Sequence, residues 1–181
     1  NREWSSDVGN SNRLQDEAFE MARRAVALDE NDTLCQLAMA WANFHRGAHE
    51  LADQHLAKAL ALNPNQMSTR ADVAIFQNFR GEPEKAIDGL LDVIRIDPYY
   101  TPSWYWGELG AAYFNARRYD EAIASMRRSA ALTNWQRAWL AASYAMVGKP
   151  DSAKECAAEL LRRMPGFSVR QFVAKEPLQR S

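Results

Sequence analysis

The chain has 181 residues, 22 basic and 23 acidic side chains, a formal net charge of −1 and 47% apolar residues. That balance excludes a global field drawing it to nucleic acid or an anionic membrane surface. Without a run of about 18 apolar residues, it also excludes a bilayer-spanning helix.

Residues 1–12 read as a polar lead-in. Their opening, Asn1-Arg2-Glu3-Trp4, has neither an initiator Met nor an apolar signal core and suggests a piece of a longer protein. A helix is expected from Arg13 to Leu28, with Leu14, Ala18, Met21, Ala22, Ala25 and Leu28 on one face at three-and-four spacing. Asn31-Asp32-Thr33 ends it and caps the next. A helix pair at 33–46 and 49–62 follows, broken by Gly47 in a left-handed cap and stopped by Asn63-Pro64. The segment 67–100 copies this, with Gly81 in the turn, Pro83 opening the second helix and Asp97-Pro98 at the stop. Gly148 and Pro150 repeat the Gly-x-Pro arrangement. After Pro165-Gly166-Phe167, residues 168–175 are expected as a short last helix ended by Pro177.

The chain also repeats itself. Ala18, Ala52 and Ala86 recur at a 34-residue period; Ala25, Ala59 and Val93 follow them by seven positions, and Glu30, Pro64 and Pro98 by twelve. Such a period indicates stacked helix pairs forming a solenoid. The later alanines, Ala122 and Ala153, slip this register. An insertion of two is expected in Tyr99-Tyr100-Thr101-Pro102, and a deletion of three near Thr133-Asn134-Trp135. Close helix approach needs the small residues at Ala52, Ala59, Ala86, Ala122 and Ala153, with Leu56, Leu90, Met126 and Leu160 filling between pairs.

Trp106-Gly-Glu-Leu109-Gly110-Ala-Ala-Tyr113 followed by Tyr119-Asp-Glu-Ala122-Ile123 resembles the tetratricopeptide repeat signature of Trp, Leu-Gly, Tyr and Ala. The other units match more loosely, with Gln36, Arg70 and Arg137 in place of the tryptophan. The resemblance implies an all-α, right-handed superhelical solenoid of antiparallel helix pairs in one domain, 1–181. It would comprise a half repeat at 13–32, repeats at 33–66, 67–100, 103–136 and 134–167, and a capping segment at 168–181. More finely, Ala22-Arg-Arg-Ala25-Val-Ala-Leu28-Asp29, Ala59-Leu-Ala-Leu-Asn63-Pro64-Asn65, Pro102-Ser-Trp104-Tyr105-Trp106 and Met164-Pro-Gly-Phe167-Ser resemble the repeat region at the C-terminus of bacterial adenylate/guanylate cyclases. Related regions follow winged-helix regulators.

In the resembled family, positions 2, 5, 9, 12 and 13 of each repeat line a concave face. Here they are Leu34, Leu37, Trp41, Phe44 and His45; Ser68, Ala71, Ile75, Asn78 and Phe79; Trp104, Gly107, Ala111, Phe114 and Asn115; and Trp135, Ala138, Ala142, Ala145 and Met146. This apolar, aromatic strip suits a peptide, a helix or another protein domain. It could instead be covered by the segment with Trp4, by the Phe167/Phe172 helix, or by a second copy in a homodimer. The family's basic clamp for a terminal carboxylate does not fit, because Leu37, Ala71, Trp41 and Ile75 stand where Lys and Asn are wanted.

No catalytic, metal or cofactor site is expected. His45, His49 and His55 lack partners at ligand spacing. Glu82 and Glu84 suit a helix N-terminus, and the arginine doublets at 23–24, 117–118, 127–128 and 162–163 read as solvated. No phosphate loop or nucleophile elbow is present. Cys35 and Cys156, far apart, read as free thiols in a reducing cytoplasm. The expectation is a non-enzymatic interaction or regulatory module, part of a bacterial signalling protein such as a nucleotide cyclase, with a homodimerisation scaffold or a winged-helix regulator's domain as the alternative.

Overall fold

The computed structural model describes the backbone of residues 2–170, with side chains from residue 13 onward. The regular elements among them are all helices: α1 (Arg2–Leu28), α2 (Thr33–His45), α3 (His49–Leu62), α4 (Met67–Phe79), α5 (Pro83–Ile96), α6 (Tyr105–Asn115), α7 (Tyr119–Met126), α8 (Asn134–Met146) and α9 (Pro150–Arg163). None of them is long and apolar enough to cross a membrane. The all-α arrangement of helix pairs is the fold class that the repeat period implies. The chain divides into two compact units, Asn1–Arg70 and Ala71–Ser181, with the division inside α4.

In the first unit, the Asp32 carboxylate accepts from the Cys35 N–H at 2.8 Å and starts α2. Ala22 of α1 packs on Met39 and Ala42 of α2, flanked by Phe19 and Val26. In the pair α2/α3, Ala52, Leu56 and Ala59 turn inward. Gln36 and Arg70, two of the residues replacing the family's tryptophan, make equivalent bonds. Each donates to the carbonyl oxygen six residues earlier, Glu30 and Pro64, at 2.6 Å.

In the second unit, Ala86, Ile87, Leu90 and Val93 form the buried face of α5. Tyr105, fully buried, donates its hydroxyl to the Leu90 carbonyl at 2.5 Å, tying α6 to α5. Ile123, Met126 and Leu140 join α7 to α8, with Trp139, Tyr144, Val147 and Cys156 around them. Gly110 lets α7 close on α6: a Cβ there would collide with the Met126 side chain and lie 3.2 Å from the Ala122 carbonyl oxygen.

The turn inside each helix pair has one design. The N–H of Ala48, Glu82, Arg118 and Lys149 reaches back five residues to the carbonyls of Asn43, Gln77, Tyr113 and Tyr144 at 2.9–3.0 Å. The preceding residue bonds three back. This is the Schellman motif, whose turn residue needs a positive φ. Gly47, Gly81 and Gly148 supply it at 75°, 81° and 71°, while the other pair uses Arg117 at 61°.

Several boundaries differ from expectation. Residues 2–12 continue α1 instead of forming a lead-in, since no proline interrupts them and a helix does not need an apolar stripe along its whole length. The inserted residues fall within a loop spanning 97–104. The three-residue deficit is not confined to 133–135. Helix α7 has 8 residues where α3 and α5 have 14, and a longer loop partly compensates. Arg128 stacks on Trp106, 3.4 Å from the ring centre, and Ser129 donates to the Ser103 carbonyl at 3.1 Å, anchoring the chain as it leaves α7. Arg118 is likewise engaged rather than merely solvated, lying over Tyr113 and bonding Glu121 and Glu84. The short helix at 168–175 and the capping segment 168–181 fall mostly outside the described residues.

Candidate functional site

Helix α1 carries two apolar stripes. One, Phe19, Ala22 and Val26, is spent on α2. The other, Leu14, Ala18, Met21, Ala25 and Leu28, recurs at alternating intervals of four and three and lies open. Leu14 is 53% exposed, Met21 70% and Leu28 89%. Between this stripe and α2 runs a groove of about 610 Å³, lined by Leu14, Gln15, Ala18, Met21, Ala22, Ala25, Ala38, Trp41, Ala42 and His45.

The internal repetition explains why this stripe is bare. Ala18 is the repeat equivalent of Ala52, Ala86 and Ala122, each 0% exposed, and of the half-buried Ala153, whereas Ala18 is exposed. The equivalents of Met21 at positions 55, 89 and 125 face the first helix of their own pair. His55 bonds Gln36, Ser125 donates to the Trp106 carbonyl, and a Cβ on Gly89 would stand 2.9 Å from that of Ala74. Among the described residues, α1 has no such helix before it. The groove therefore has the geometry of a helix seat.

Its α2 wall is aromatic. His45 stacks on Trp41 with ring centres 5.8 Å apart, and Phe44 meets Trp41, His45 and His49 edge-on at 5.9, 5.7 and 5.3 Å. Desolvation within this cluster lowers the His45 pKa below the ordinary imidazole value. At the groove's margin, Arg46 lies 4.1 Å over the Phe19 ring and 3.5 Å from Asp16. His55, also lowered by desolvation and then by Lys58, bonds the buried Gln36 through Nδ1 at 2.7 Å. No three His, Cys, Asp or Glu side chains gather as metal ligands among the described residues, and Cys35 and Cys156 are free thiols.

The strip residues are distributed unevenly. In the first unit Leu34 and His45 are exposed, Trp41 is half-buried, and Leu37 and Phe44 are buried. In the second, Trp135 and Met146 are exposed; Phe79, Trp104, Phe114 and Asn115 are half-buried; Ile75, Asn78 and Ala111 are buried. Asn115 donates to the Asn78 side-chain oxygen at 2.9 Å, bringing those two together. Trp41 and His45 are the strip residues that join the α1 groove. Leu14, Ala18, Met21 and Ala25, placed with Ala22 on one apolar face from sequence, supply its other wall. The signal for them lay in the four-three spacing of a second stripe beside the buried one.

Residues 105–134 match the family model of the tetratricopeptide repeat. No curated protein matches the chain by sequence. Among solved structures, a tetratricopeptide repeat protein of Thermus thermophilus, TTC0263, is similar at 21% identity and a TM-score of 0.69, covering 96% of this chain and 94% of its own. MamA 41-end from Desulfovibrio magneticus RS-1 is similar at 17% identity and 0.62, covering 92% and 97%. PilW, a type IV pilus biogenesis factor, is similar at 16% and 0.59, covering 91% and 92%. Residues 105–134 are thus a tetratricopeptide repeat, and the chain has the fold of proteins built from that repeat.

Proposed function

We propose that this chain is a protein–protein interaction module whose α1/α2 groove receives an amphipathic helix. The observation that carries the reading is the contrast at one repeat position, where Ala52, Ala86 and Ala122 are sealed beneath a neighbouring helix and Ala18 is bare. An apolar groove of this size, walled by alanine on one side and Trp41 on the other, matches helix-in-groove recognition. A fluorescein-labelled peptide helix with Leu and Ala alternating at four-three spacing tests it. Its anisotropy should rise on titration with the chain and stay flat with Trp41→Asp. A flat response with the unaltered chain, at concentrations where it is monomeric, would overturn the reading.

The wider role is regulatory: a C-terminal part of a bacterial signalling protein such as an adenylate/guanylate cyclase, acting in the cytoplasm. Support comes from the segments at 22–29, 59–65, 102–106 and 164–168 that resemble those repeat regions. The upstream reading frame of the gene tests this. A class III cyclase domain there supports it, and an unrelated domain overturns it.

A further inference from the structure

We propose that the occupant of the α1/α2 groove is α1 of a second copy of this chain, seated antiparallel. This rests on the helix-binding reading above and names the partner. The open stripe, Leu14-Ala18-Met21-Ala25-Leu28, has the heptad spacing of a two-helix seam, with large side chains at one core position and alanine at the other. Antiparallel pairing sets each large residue opposite a small one. Leu14 faces Ala25 of the second copy, Ala18 faces Met21, and the two-fold axis repeats both contacts. The helix so placed runs against α1 as a first helix runs against its partner in the later pairs, and it covers Ala18 as Ala52 and Ala86 are covered there.

Charge selects this register. Gln15 and Ala22, on one flank of the seam, lie toward α2 and line the groove. Glu17 and Arg24 occupy the other flank and are exposed. In the stated pairing Glu17 stands across from Arg24 of the second copy, twice over by symmetry. Sliding by one heptad would set Arg24 against Arg24. Complementary charges fix register and orientation in helix pairs. Glu17 at present holds Arg13 at 3.4 Å on the open surface, an exposed contact free to exchange.

Light scattering and sedimentation across a concentration series test the proposal on the 181-residue chain. A monomer–dimer equilibrium is expected. Met21→Asp should leave the chain monomeric with an unchanged circular dichroism spectrum, because that side chain already faces solvent. Glu17→Arg and Arg24→Glu should each weaken self-association by about tenfold or more, while their equimolar mixture forms a heterodimer as stable as the parent dimer. A dimer that persists in Met21→Asp, or a mixture that fails to pair, overturns the proposal. A chain that stays monomeric at every concentration yet binds the Leu/Ala-faced peptide overturns the second copy as occupant and leaves the helix-binding reading standing. A chain that does neither overturns both.

Discussion

Arg117 stands in the backbone slot that Gly81 fills one repeat earlier, with φ at 61° against 81°. A Cβ in the left-handed region costs about 1–2 kcal/mol, and glycine gives back about 0.5–1 kcal/mol through its freer unfolded chain. Arg117→Gly should therefore stabilise the chain by about 0.5–1 kcal/mol. The test is a urea titration, in which the midpoint should rise with the slope unchanged. A lower midpoint would show that the arginine side chain makes a contact worth more than the strain.

One substitution at two repeat-equivalent positions should behave oppositely. Ala86→Leu forces three extra carbons into a sealed helix contact and should cost about 1–3 kcal/mol. Ala18→Leu adds the same atoms to an open face and should change the monomer's stability by less than about 0.5 kcal/mol. Denaturant melts at low protein concentration separate the two. Equal losses would mean that Ala18 is covered in the isolated chain.

Gly110 sits where α6 closely approaches α7. In Gly110→Ala the Met126 side chain must leave its place, and the new methyl sits against the Ala122 carbonyl. The expected cost is about 1–3 kcal/mol. Thermal unfolding followed by circular dichroism measures it, and an unchanged midpoint would show that the two helices can separate freely.

Acid should destabilise the chain in a window set by histidine. The native pKa values of His45 and His55 lie below the ordinary 6.5, so the unfolded chain binds protons that the native one resists. Stability is full above that value and falls as the pH drops through it towards the native values. Glu20, Asp32 and Glu159, held low by hydrogen bonds from Arg23, from the Cys35 backbone and from Arg163, contribute only at more acid pH. The melting temperature should fall between pH 7.5 and 5.5, and His45→Gln should shrink the fall. Identical melting temperatures at both values would contradict the assignment.

The helix pairs were legible because their punctuation is strong. Gly47, Gly81, Gly148, Pro83 and Pro150 each mark a turn or a first turn, and the alanine period fixes which face is inward. Arg117 was not legible as a turn residue, since nothing in an arginine announces a positive φ; only the alignment of four turns places it there. The early end of α7 escaped notice because no glycine or proline marks it in 127–133; beyond it Arg128 lies across Trp106. The groove was half legible. Trp41 and His45 stood on the expected strip, but one apolar face was assigned to α1 where the structure has two. Periodicity reports that a stripe is apolar and is silent on what covers it.

Gln36 and Arg70 stand where the signature carries tryptophan, and each reaches back to a carbonyl in the turn two residues past the preceding helix. A directed bond to a main-chain oxygen works as a latch, holding the chain's entry into each helix at one angle, and an isosteric change that removes a single donor releases it without leaving a void.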